Sequence, residues 1–113
     1  MNVKLLRKVK KHIEEIPSRW SWEWAQYSRK APCGTAACIG GWCSLLGLKP
    51  PEGTKDVVAW AEGVPTDKVA DLLRIDGQSA HRLFFSWPPG FNIHSAKDAA
   101  RRIEHFIKTK GKE

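Results

Sequence analysis

The stretch from Thr35 to Leu46 carries Ala36, Ala37, Gly40 and Gly41 within what otherwise reads as one helix. A glycine in a helix interior costs about 1 kcal/mol relative to alanine, so two of them need a structural reason. The simplest reason is the close approach of another backbone, which a side chain would obstruct. The pattern therefore predicts a central, deeply buried helix over about 35–46. Thr35 is its expected N-cap, Gly47 its left-handed terminator, and Pro50-Pro51 lie beyond.

The rest of the chain offers helices to pack around that one. From Val3 to Ile16, Leu6, Val9, Ile13 and Ile16 form one apolar stripe at helical period, with Lys4, Arg7, Lys8 and Lys11 opposite. Pro17 should end this helix by excluding Ile16 from helical backbone. Arg19 to Lys30 is two-sided. Trp20, Trp22 and Trp24 alternate as in a strand, yet Ser21 would cap a helix running through Tyr27. We read a turn or short irregular helix whose indoles cover one edge of the core; the alternative is an exposed aromatic platform for stacking bases.

Thr54 is placed as the cap of a short helix through Glu62, and Thr66 as the cap of the next, Asp67 to Arg74. Asp76 is placed as the cap of another helix, ending near Ser86. Trp87-Pro88-Pro89-Gly90 reads as a rigid loop. Ser95 to Asp98 approximates a capping box that opens a last helix, with Ala96, Ala99, Ala100, Ile103, Phe106 and Ile107 in register and Glu104 paired to Lys108. The expectation is an all-α fold: a single domain, 1–113, of five to six short helices, with 108–113 a frayed basic tail. A chain of 113 residues buries enough surface for one core without disulfides.

Charge is distributed unevenly. Residues 1–30 hold eight Lys+Arg against three acids, 31–60 two against two, 61–95 three against four, and 96–113 six against three, which sums to +7. The excess is terminal. A basic surface formed by Lys4, Lys8, Lys11, Lys97 and Arg101 would meet an anionic partner, nucleic acid or an acidic protein; the plainer reading is two solvated helix faces. No apolar run approaches 18 residues and no signal-peptide core precedes the first helix, so the expected setting is cytoplasmic, without a membrane partner.

Cys33, Cys38 and Cys43 recur every five residues. Five residues of helix turn the chain by about 140°, so Cys38 and Cys43 do not converge on one ion, and neither a metal nor another cofactor is implied. Cys33 is the one catalytic candidate. At the N-terminus of the predicted helix its thiol would be acidified, as in a thiol-dependent enzyme or redox switch. Cys33-Gly34-Thr35 echoes the Cys-Gly-Ser opening of papain-like hydrolases, with His94 and Asp98 the nominal partners. In a reducing compartment a Cys33–Cys38 bridge would be transient.

The run from Cys33 to Trp42, Cys-Gly-Thr-Ala-Ala-Cys-Ile-Gly-Gly-Trp, resembles the Cys-Gly-Thr-x-x-Cys-[Ile/Leu]-x-Gly-Trp signature of small hypothetical proteins of bacteria and phages. Around it, His12-Ile13-Glu14-Glu15 ahead of Pro17, Leu83-Phe84 with Trp87-Pro88, and Ala100 to Glu104 are similar too. The resemblance implies a shared architecture and carries no functional residue with it.

Residues 66–85 also match a helix-turn-helix template, with Val69, Ala70, Leu73, Ile75, Ala80 and Leu83 inward. Gln78, Ser79, His81 and Arg82 would then face a DNA groove. Against this, Arg74 stands where such turns favour glycine, and the 61–95 segment that holds the motif is net −1.

Overall fold

A computed structural model describes residues 1–21, 24–27, 35–85, 87 and 93–112. The expected positions Trp22, Cys33, Ser86 and Pro88 to Gly90 lie outside the described residues.

The described residues form six helices: α1 (Val3–Glu15), α2 (Ile39–Gly47), α3 (Val57–Glu62), α4 (Thr66–Leu73), α5 (Gly77–Phe84) and α6 (Ala96–Lys108). A 3-10 turn (Pro17–Arg19) follows α1. Two-residue strands, β1 (Gln26–Tyr27) and β2 (Thr35–Ala36), pair antiparallel with Gln26 opposite Ala36. The fold is all-α around one core, to which every helix contributes.

α1 ends as expected, with Ile16 extended (φ −136, ψ 93) ahead of Pro17. Leu6, Val9 and Ile13 are fully buried and face α2, α4 and α6. The central helix is shorter than predicted. It starts at Ile39, because the backbone before it is occupied otherwise: Ala36 pairs with Gln26, and Ala37 bonds with Arg19 and Ser21 on its two sides (2.9 and 3.1 Å). Thr35 is therefore a strand residue and not an N-cap; Cys38 takes the cap position, with no side-chain cap bond.

From Ile39 to Ser44 every residue of α2 is buried, and α2 packs on α1, α3, α4 and α5. The glycine requirement holds, with an unexpected neighbour. A Cβ on Gly41 would fall on the carbonyl oxygen of Trp24, and one on Gly40 would meet the outer edge of the Trp24 indole. The close backbone belongs to the irregular stretch before β1 and not to another helix. Gly47 closes α2 in helical conformation rather than as a left-handed cap; a Cβ there would stand 2.7 Å from side-chain carbons of both Leu5 and Leu72.

Two other caps differ from expectation. Asp56, not Thr54, caps α3, accepting the Ala59 N–H at 3.0 Å; the Thr54 hydroxyl instead donates to Pro51 O at 2.6 Å. Thr66 lies inside α4 behind Pro65, which fits its fixed φ at the helix start. Asp76 caps α5 as expected, accepting from Ser79 N–H at 2.7 Å.

The chain end does not fray over its described residues. After α6, Lys110 and Gly111 take left-handed backbone (φ 54 and 75), Gly111 is buried, and its carbonyl accepts from Arg82 Nη2 at 2.9 Å.

Candidate anion-binding surface

α1 and α6 lie against each other and run antiparallel. Arg7 and Glu104 meet at 3.7 Å, Glu14 and Pro17 share an open groove of about 330 Å³ with Ala96 and Lys97, and Met1 lies close to Gly111. Glu104 is thus held across the helix pair by Arg7 and not along its own helix by Lys108. The exposed stripe of α1 is Lys4, Lys8, Lys11 and Glu15; that of α6 is Lys97, Arg101 and Lys108. The Arg7–Glu104 contact joins the two helices, and Lys4, Lys8, Lys11, Lys97 and Arg101 are all exposed on them.

Local bonds fix both helices. Asn2 caps α1 through Leu5 N–H (3.1 Å). It also reaches the end of α4, its backbone N–H donating to Leu73 O (2.7 Å) and its Nδ2 to Leu72 O (3.2 Å). Ser95 caps α6 through Asp98 N–H (3.3 Å), while Asp98 reaches back to His94 N–H (3.1 Å) rather than to Ser95 as a standard capping box would. That bond from His94 holds the Asp98 carboxyl below its ordinary range, against the opposing effect of desolvation.

The charge on this side is not uniform. Lys10 pairs with Glu14 (3.0 Å), Lys11 with Glu15 (3.8 Å), and Arg19 approaches Glu15 (3.9 Å). With Asp98 beside Lys97 in sequence, the acids gather where α1 ends and α6 begins. At the opposite end stand Lys4, Lys8, Lys108, Lys110 and Lys112, joined by Arg74 because Asn2 ties the end of α4 to the start of α1. In sequence, 108–113 is expected as a tail and Arg74 only as a strained turn position. The tertiary contact that unites them runs from Asn2 to Leu72 and Leu73, and no local pattern encodes it.

The other sequence candidates are placed differently. Of the four helix-turn-helix positions, Gln78 and His81 are exposed, but Ser79 is buried and Arg82 turns inward, donating to Ser79 Oγ (3.0 Å) and Gly111 O (2.9 Å). α4 and α5 form the predicted hairpin, with Val69, Ala70, Leu73, Ala80 and Leu83 in the core. Ser79 and Arg82 serve packing, so a DNA-reading face lacks two of its four side chains.

Cys33 lies outside the described residues, and with α2 starting at Ile39 it no longer precedes a helix N-terminus directly; a Cys33–Cys38 bridge is likewise outside them. Cys43 is fully buried, and burial, reinforced by Cys38, pushes its thiol far above the ordinary range, the state of an inert core sulfur. Trp20 and Trp24 pack on the core rather than standing out as a stacking platform, Trp24 against Phe84 (5.7 Å) and Phe85 (6.0 Å). A small cavity of about 30 Å³ between Trp20, Cys38, Ile39, Phe84, Trp87 and Ile93 has room for a water molecule. Among the described residues no cluster of His, Cys, Asp or Glu has the makings of a metal site, and no helix is long and apolar enough to cross a membrane.

Arg102, counted in sequence as part of the basic helix, is fully buried. Its Nη2 donates to Arg82 O (3.2 Å) and its guanidinium lies 5.7 Å from the centre of the Phe106 ring. It contributes to the formal charge and not to the surface. Comparison of the chain with protein-family models, with curated proteins and with solved structures finds no match.

Proposed function

We propose that the protein is a small non-catalytic interaction module that holds an anionic macromolecule, nucleic acid or an acidic protein, on the side formed by α1 and α6. The antiparallel packing of these helices supports the reading: it sets the helices that hold the exposed Lys4, Lys8, Lys11, Lys97 and Arg101 beside each other, although 93 positions separate Lys4 from Lys97 in the chain (97 − 4). A surface of this sign attracts polyanions over about a Debye length, roughly 10 Å at 0.1 M salt, and steers their approach. The setting included in the proposal is the cytoplasm, where such partners are abundant and thiols stay reduced.

Retention on an immobilised polyanion, heparin, tests this reading. The wild type should bind at low salt and elute in a salt gradient. A Lys8→Glu/Arg101→Glu variant, whose formal charge falls from +7 to +3 (+7 − 4), should elute at clearly lower salt with unchanged melting. Co-elution of the two proteins would refute it.

A further inference from the structure

Two helices end in the same unusual way. At the end of α4, Ile75 N–H donates to Ala70 O and Arg74 N–H to Asp71 O, both at 3.1 Å. At the end of α6, Gly111 N–H donates to Phe106 O (3.0 Å) and Lys110 N–H to Ile107 O (3.1 Å). This bond pair makes a Schellman cap, whose penultimate residue must be left-handed, and glycine fills that position at least strain. Here Arg74 (φ 58) and Lys110 (φ 54) fill it, the non-glycine residues of positive φ among those described.

A cation near a helix C-terminus offsets part of that strain through the helix dipole. For α6, however, Lys108 in the last turn already supplies one. Each cap keeps a cation where the backbone favours glycine, and strain held in place is a reason to look for a use.

Both caps lie at the same end of the molecule, since Asn2 binds the last carbonyls of α4 and Met1 packs near Gly111. With Lys4, Lys8, Lys108 and Lys112 they make six exposed cations, none in an ion pair among the described residues. Of the described acids on these helices, Glu104 is held by Arg7.

We infer that this end is where the partner docks, and that the partner is duplex nucleic acid gripped through its phosphate backbone. The inference rests on the proposed anion-binding module and narrows it. Protein interfaces need an apolar centre, and membrane surfaces need an apolar face to insert. The exposed large apolar side chains among the described residues are Val57, which opens α3, and Phe85, which stacks on Trp24. Neither belongs to this end. Single strands are held by stacking rings, and none is exposed at this end among the described residues. A duplex offers one negative charge per roughly 1.7 Å of axis, which cations alone hold without reading sequence.

The test is fluorescence anisotropy with three probes: a mixed-sequence DNA duplex of about 25 base pairs, one of its strands alone, and a polyglutamate peptide. The wild type should favour the duplex, with a log–log salt slope near −5 for about six phosphate contacts. Arg74→Gly/Lys110→Gly should weaken duplex binding about tenfold at low salt and lower the slope by about 2, while raising the melting temperature because glycine relieves both caps. A purely structural role predicts the melting gain without the loss of binding. Lys55→Gln/Lys68→Gln, exposed and outside α1 and α6, should bind nearly as the wild type does.

Unchanged binding by the glycine variant, or an equal loss in the Lys55/Lys68 variant, would overturn the inference. So would a single strand or polyglutamate bound as tightly as the duplex. In each of those cases heparin retention leaves the broader module standing; failure on heparin as well as on all three probes ends both.

Discussion

Gly41 sits so close to the Trp24 carbonyl that a methyl group has no place to go without moving backbone. Overpacking relieved only by backbone shifts costs about 3 kcal/mol, so Gly41→Ala should lower the unfolding free energy by roughly that amount in a urea titration. Gly77, with open space around its Cβ position and ordinary φ, is the control: Gly77→Ala should hold stability or gain up to about 1 kcal/mol. Equal losses in both variants would remove the argument. The need for glycine at 40 and 41 was legible in the sequence because a helix tolerates glycine poorly. The identity of the neighbour was not, since Trp24 reaches α2 through β1, β2 and the Trp20–Ala37 bridge. The burial of Arg102 was equally hidden. A helical repeat places position 102 only at the edge of the apolar stripe, and its acceptor is a backbone carbonyl of α5.

At the level of elements, caps decide where helices begin. Asp76 receives the Ser79 N–H, and that bond holds its carboxyl below the ordinary 3.8. A depressed carboxyl contributes stability above its unfolded pKa and loses it as pH falls through the folded one. Asp76→Ala should therefore melt below the wild type at pH 7, and the gap should narrow once the pH drops under about 3.8. Thermal scans by circular dichroism read both; a gap independent of pH would show that the carboxylate charge plays no part. Asp76 and Ser95 were recognisable as caps because each directly precedes an apolar-periodic run. Thr54 misled because a proline-rich turn takes its hydroxyl and Asp56, two residues on, is free to cap. Thr35 misled because tertiary strand pairing outranked a local cap.

For the molecule as a whole, His12 joins three elements. From α1 its Nδ1 faces Arg19 Nη1 of the 3-10 turn at 3.2 Å, and its ring meets the Trp42 indole of α2 edge-on at 4.3 Å. Arginine has no acceptor, so Nδ1 must carry the lone pair and the proton sits on Nε2, which is buried without a partner. Burial first, then Arg19, lowers the pKa of His12 below 6.5, with Glu15 opposing and Lys8 assisting. The unfolded chain then takes up this proton before the folded one does, so stability should fall as pH drops through 6.5 toward the folded value and level off beneath it. The melting temperature measured between pH 7.5 and about 5 should show this decline, and His12→Gln should flatten it. A decline of the same size in the variant would point to other groups.

The pairing of α1 with α6 also bears on how the chain comes together. During synthesis α1 presents Leu5, Leu6, Val9 and Ile13 long before residues 96–108, which cover part of that face, have been made. Closing the loop between them exacts its entropy late, and the nascent N-terminal half carries bare aliphatic surface until then. Its strong positive charge, +5 over residues 1–30, keeps such unfinished chains apart by mutual repulsion during that interval.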